Sequence, residues 1–223
     1  MEAISRRFNL YDIFGFLSPG LIIILNIYLL YSEQINSFYL ELKYTNSILD
    51  LVFIILFSYM CGHFLEESSK IFEKHIIYNT KLKFIGRDYP SMVFLNDNNT
   101  HFHSEFKTNI INIIDTFFSL SENYPQRKKF ELCYTFILQK GLPSRVERYL
   151  GLQAFCRNVG YSFFICIFLN LYLSLQTGYN NLFLISAFYF IVGIMFIKRH
   201  IFYGSKFVDS IYREFYVYNS SLK

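Results

Sequence analysis

A chain of 223 residues can form one ordinary domain, yet 53% hydrophobic residues and a mean hydropathy of +0.27 exceed what a single water-soluble core of that size needs. Its 21 basic and 17 acidic residues leave a net charge of only +4, modest for a nucleic-acid binder. The surplus apolar residues must face something other than water, and the composition points to a membrane protein.

The first uncharged apolar run is Leu10 to Tyr31, with Asp12 in its opening turn, where a helix N-terminus tolerates an anion, and Asn9 as its cap. Its length and the lack of a small-residue cleavage site predict a retained anchor rather than a cleaved signal peptide. Pro19 and Gly20, with Gly15 one turn earlier, predict a kink or a close approach by a neighbouring helix. The second run, Ile48 to Leu65, carries Asp50 and His63 only at its edges. The third and fourth, Val159 to Leu175 and Leu182 to Ile197, are joined by the short polar link Gln176 to Asn181 and read as an antiparallel hairpin. A bilayer core of about 30 Å needs roughly 20 helical residues, with 17 as the lower limit. The shorter fourth run is therefore the one for which a buried core helix competes most strongly. With Trp absent, interfacial rings must come mainly from the 19 tyrosines.

Of the 21 Lys and Arg residues, Arg6 and Arg7 precede the first run, 13 lie between Glu66 and Asn158, and five follow Ile197. Only Lys43 falls in the loop from Ser32 to Ser47, beside Glu33 and Glu41. The positive-inside rule then puts both links outside and both termini in the cytoplasm. Abundant Ile, Asn and Lys suggest an AT-rich bacterial genome, and so the bacterial inner membrane. The predicted fold is an all-α membrane protein with four transmembrane helices, arranged as two hairpins with a helical cytoplasmic insertion between spans 2 and 3. Its parts are an N-terminal transmembrane hairpin (1–65), a cytoplasmic helical domain (66–158), a C-terminal transmembrane hairpin (159–197) and a cytoplasmic amphipathic tail (198–223).

Within the insertion, a helix is predicted to continue from the second span through EESSKIFEKHIIYNTKLKF, ending near Gly86 and Pro90. The run from Asn96 to Thr100 reads as an exposed loop. Phe106, Ile110, Ile113, Ile114, Phe117 and Phe118 share one helix face. A further helix covers Lys128 to Lys140, closed by Gly141 and Pro143. Ser144 and Glu147 then match a capping box that starts a helix running into the third span. The tail after Lys198 interleaves apolar and charged residues; extension of the fourth helix and a position on the membrane surface both remain open.

No phosphate-binding loop, GxGxxG, HExxH or GxSxG occurs, and the HEPN-type pattern of Arg followed by His is not convincingly matched, so no enzymatic activity and no cofactor are expected. His101 and His103, with His75 upstream, are candidate metal ligands but read as ordinary loop histidines, and no metal site is expected. Cys61, Cys133, Cys156 and Cys166 show no CxxC or Cys/His spacing and are expected to be reduced thiols. Asn26 and Asn170 each fall mid-span, where an amide needs a partner. They are candidates for helix-packing contacts or for lining a polar path. Arg127, Lys128, Lys129, Arg145, Arg148 and Arg157 form a candidate basic partner-binding face, for acidic lipid, a nucleotide messenger or RNA. The positive-inside asymmetry alone explains much of it, and direct nucleic-acid binding is not expected from the segment's 13 bases and ten acids.

The opening YDIFGFLSPG, Tyr11 to Gly20, and the run SRVERYLGLQAFCR, Ser144 to Arg157, resemble small bacterial membrane proteins encoded in phage-defence loci. Such proteins include the membrane accessory protein of type VI CRISPR loci and the membrane subunit of the Kiwa system. The resemblance covers 24 of 223 residues and leaves the two unseparated. It implies a non-enzymatic antiviral component of the inner membrane, in contact with the lipid bilayer and with copies of itself. Three readings follow: an oligomeric membrane-perturbing effector, a scaffold or sensor recruiting a cytoplasmic defence protein, and, last, a small channel or transporter.

Overall fold

The computed structural model describes residues 10–32, 35, 37, 47–77, 104–121, 124–141, 143–179 and 181–220. Its helices are α1 (Leu10–Leu30), α2 (Ser47–Phe72) with a π turn at Glu73–Ile77, α3 (Ser104–Phe117), α4 (Gln126–Lys140), α5 (Ser144–Thr177) and α6 (Asn181–Ser220). No strand occurs among the described residues. The helix from Ile48 to His75, α5 and α6 are each long and apolar enough to cross a membrane, while α1 contributes the shorter apolar stretch Gly15–Leu30.

These elements follow the sequence pattern closely. α2 continues beyond its apolar run to Ile77, and the predicted continuation to Phe84 lies outside the described residues. α5 starts at the predicted place and runs unbroken into its apolar stretch. Its first amides, Val146 N and Glu147 N, donate to the Pro143 carbonyl at 2.8 and 3.2 Å. The tail extends the fourth apolar run as one helix of 40 residues.

The chain forms two compact units, Met1–Thr80 with Gly151–His200 and Lys81–Leu150 with Ile201–Lys223. In the first, α1 and α2 pack antiparallel at backbone contact. A Cβ on Gly20 would collide with the Ser58 carbonyl, and one on Gly62 with the Phe16 carbonyl. The Phe16 ring stacks on His63 at 4.0 Å, and Tyr59 meets the same imidazole edge-on at 4.6 Å. Phe72 of α2 packs on Tyr161 and Phe164 of α5, at 5.1 and 5.5 Å.

α5 and α6 form an antiparallel hairpin. Gly178, with φ of 72°, turns the chain and donates its N–H to the Ser174 carbonyl at 2.9 Å, a conformation that a side chain would strain. Along the hairpin Gly160 lies against Gly193 and Ile197, and ring pairs Phe164–Phe190, Phe163–Tyr189 and Phe155–Phe196 recur at 6.2, 5.4 and 6.2 Å.

Burial in this unit runs against polarity. Between Tyr161 and Ser174 the fully buried residues of α5 are Ser162, Cys166, Asn170 and Ser174, whereas Phe168 is 72% exposed. On α2 Ser58 and Gly62 are buried and Phe64 is 81% exposed. On α6 Ser186 and Gly193 are buried and Leu184 is 74% exposed. An apolar exterior around a small and polar interior is what lipid as solvent selects.

The second unit has an ordinary apolar core of Ile110 and Ile114 from α3, Cys133 and Ile137 from α4, Val146 from α5, and Phe207, Val208, Ile211, Tyr212 and Phe215 from α6. The face predicted for α3 supplies the two fully buried isoleucines, while Phe117 remains 42% exposed. Phe215 packs against Phe117, Phe118 and Phe136 at 5.5, 5.6 and 5.5 Å.

Candidate functional site

The charged end of the first unit is built from residues immediately past the apolar runs. Glu66, Ser69 and Glu73 recur at intervals of three and four along α2 and its π turn, which puts them on one face. Arg157 and Asn158 stand just before the apolar run of α5, and His200 stands three residues past that of α6. The structure gathers all six.

Arg157, only 8% exposed, spreads its guanidinium over three partners. Nη2 meets Glu66 Oε1 at 2.8 Å, Nη1 meets Glu73 Oε2 at 3.0 Å, and Nε donates to Ser69 Oγ at 3.0 Å. Asn158 Nδ2 donates to Glu66 Oε2 at 2.6 Å and to the Gly15 carbonyl of α1 at 3.4 Å, while its Oδ1 accepts from Ser69 Oγ at 2.6 Å. His200, fully buried, sets Nε2 at 3.1 Å from Glu73 Oε1 and Nδ1 at 3.0 Å from the Gln153 carbonyl. Glu66 also meets Lys70 Nζ at 3.2 Å on its more exposed side. α2, α5 and α6 are thereby tied by charge-assisted bonds, and α1 joins them through the neutral Asn158–Gly15 contact. Removing one member of such a buried set leaves the others uncompensated, at a cost of about 3–5 kcal/mol.

From Asn158 a polar ridge continues along α5 at four-residue intervals through Ser162, Cys166, Asn170 and Ser174. α1 runs beside it in the same direction, since Gly15 pairs with Asn158 and the Ile22 carbonyl lies 4.0 Å from Cys166 Sγ. One turn further on each helix, this register places Asn26 and Asn170 at the same level. Both side chains are buried, and Asn26 Nδ2 and both polar atoms of Asn170 have no hydrogen-bond partner among the described residues. Ser58 Oγ, on α2, is likewise unpaired.

The six basic residues expected to share a face behave differently. Arg127 and Lys128 are exposed on α4 and pair with Glu131 at 3.2 and 3.0 Å. Lys128 and Arg127 hold the Glu131 carboxyl below its ordinary range. Arg145 and Arg148 are exposed on α5, and Arg145 lies over the Tyr149 ring at 5.8 Å. Two corrections apply to the face. Lys129 is 4% exposed and donates to Asp115 at 2.7 Å, and Arg157 is buried in the ionic cluster, so neither presents its charge at a surface. A covered cation is tolerated where a carboxylate and further hydrogen bonds offset its lost water.

The second unit also carries an open cleft of about 470 Å³ between α3 and the end of α6, walled by Ile113, Phe117 and Tyr216 and edged by Asn112, Thr116, Asn219 and Ser220. No cluster of metal-ligating residues occurs among the described residues. His101 and His103 lie outside them, and His75 lies exposed within the π turn. All four cysteines are free thiols. Burial pushes the Cys133 thiol well above its ordinary range.

Sequence reasoning missed Glu66, Ser69, Glu73, Asn158 and His200. The available signal was the Glu66, Ser69, Glu73 spacing directly after an apolar run, with a histidine in the equivalent place after another. Comparison of the chain with protein families, curated proteins and solved structures finds no match.

Proposed function

We propose that this chain is a multi-span component of the bacterial inner membrane in an antiviral defence system, acting as an oligomeric effector that perturbs the membrane through a polar path inside its bundle. The observation that carries the reading is the buried ridge of α5, with the unpaired amides of Asn26 and Asn170 at one level within the apolar stretch. An amide there is costly unless something polar meets it. α1, α2, α5 and α6 are its four spans, both termini are cytoplasmic, and the ionic cluster closes the cytoplasmic end. The path lies within each subunit because both asparagines are buried by their own chain. The apolar exterior serves lipid and neighbouring copies. The defence context is supported by the YDIFGFLSPG and SRVERYLGLQAFCR motifs.

A second reading, a scaffold or sensor that recruits a cytoplasmic defence protein, is favoured by the complete core and open cleft of the second unit. A voltage-sensitive dye in expressing bacteria, with and without infecting phage, separates the two. The effector reading expects depolarisation with the wild-type chain and its loss in Asn26→Leu/Asn170→Leu. A steady potential throughout, with partner capture by the second unit, supports the scaffold.

A further inference from the structure

His200 is held between two acceptors. The Gln153 carbonyl at Nδ1 has no proton to give, and neither does an ionised Glu73 at Nε2. A neutral imidazole carries one N–H and one lone pair, so one of these short contacts would set a lone pair against an oxygen. The geometry is satisfied in two ways only: His200 is an imidazolium beside the Glu73 carboxylate, or Glu73 is a carboxylic acid donating to a neutral ring. Either way the pair holds one more proton than a neutral histidine and a free carboxylate.

Glu73 meets Arg157 through Oε2 and His200 through Oε1, and His200 shares its place with no solvent. The groups facing the pair are Arg157 and Gln153 from α5 and Glu66 through Arg157 from α2, with Lys70 beyond Glu66. Arg157 serves both carboxylates, and Lys70 meets Glu66.

We propose that His200 and Glu73 form a proton-binding site at the end of the polar ridge, loaded in the closed bundle. Unloading breaks one N–H bond of the imidazolium, its electrons stay on the ring nitrogen, and the proton passes to water. The resulting lone pair faces an acceptor oxygen, so one of the two hydrogen bonds by which His200 ties α6 to α2 and α5 is lost. The ligand is the proton itself. Coupling of its release to opening of the ridge rests on the effector reading above; the binding site does not.

The test is nitrogen-15 NMR of histidine-labelled protein in lipid nanodiscs at about pH 7.5, with His200 assigned by backbone correlation, alongside infrared difference spectra against Glu73→Gln. Two protonated ring nitrogens at His200, or a protonated carboxyl that vanishes in Glu73→Gln, is the expected result. In that variant the side-chain amide can donate to Nε2, and His200 should revert to a neutral tautomer with its proton on Nδ1. A neutral His200 beside an ionised Glu73 in the wild type would overturn the proposal, and that spectrum needs no variant to fold. The dye experiment can fail while this signature stands, which would remove the effector reading and leave the proton site.

Discussion

Between Tyr161 and Ser174 the buried residues of α5 are Ser162, Cys166, Asn170 and Ser174, whereas the core of the second unit includes Ile110, Ile114, Phe207, Val208, Ile211 and Phe215. The same chain therefore obeys opposite rules in its two units. Where water is the solvent, burying apolar rings drives folding at about 25 cal/mol per Å². Where lipid is the solvent that gain disappears, and helices associate through close backbone approach and polar contacts instead. Leu184 and Phe64, exposed as they are, are compatible with a helix surface that meets lipid.

The comparison is broken most severely at the α1–α2 crossing. Gly62→Val puts a side chain onto the Phe16 carbonyl, and backbone cannot move aside as a flexible side chain would. Loss of more than about 4 kcal/mol is expected, seen as aggregation or rapid proteolysis in detergent. Gly15→Ala is the control, because nothing lies within 4 Å of a Cβ there. If both variants behave alike, close backbone approach is not what holds the first unit together.

A smaller effect separates the two solvents directly. Ile54 is 40% exposed in the middle of the α2 apolar run. On a water-facing helix Ile54→Lys would change stability by no more than about 0.5 kcal/mol. In a bilayer centre it should cost about 2.5–3.5 kcal/mol of insertion, read as a shift from membrane to soluble or degraded fractions. Unchanged membrane recovery would mean that this face of α2 does not meet lipid.

How much of this was legible depended on range. The apolar runs, the α3 face and the start of α5 were readable because length and periodicity are local properties. Asn26 and Asn170 stood out singly, as amides within apolar runs, but their common level follows from the Gly15–Asn158 and Ile22–Cys166 contacts, more than 140 residues apart in sequence. Arg157 was misread for the same reason. Next to Arg148 and Arg145 it looks like one more cation on a basic helix, and only its distant partners Glu66 and Glu73 show it to be an interior group. Glu66 stands where polarity begins in the sequence; packing sets it, partly exposed, against the buried Arg157.

The smallest expected effect sharpens the comparison from the side of the second unit. Cys133 is fully buried among Ile137, Phe207 and Tyr212, and burial without a compensating cation raises its pKa. A group whose folded pKa lies above its unfolded value contributes stability that is fully present below the unfolded value, near 9, and lost as pH rises beyond it. The second unit should therefore loosen above about pH 9, by up to about 1.4 kcal/mol per pH unit from this thiol. Near-ultraviolet circular dichroism of the full chain would report it through the tyrosines. Cys133→Ala should weaken the unit at neutral pH through the cavity it leaves, yet flatten the alkaline decline. An alkaline decline as steep in Cys133→Ala as in the wild type would assign the pH dependence to another group and leave the core of the second unit less dry than its burial indicates.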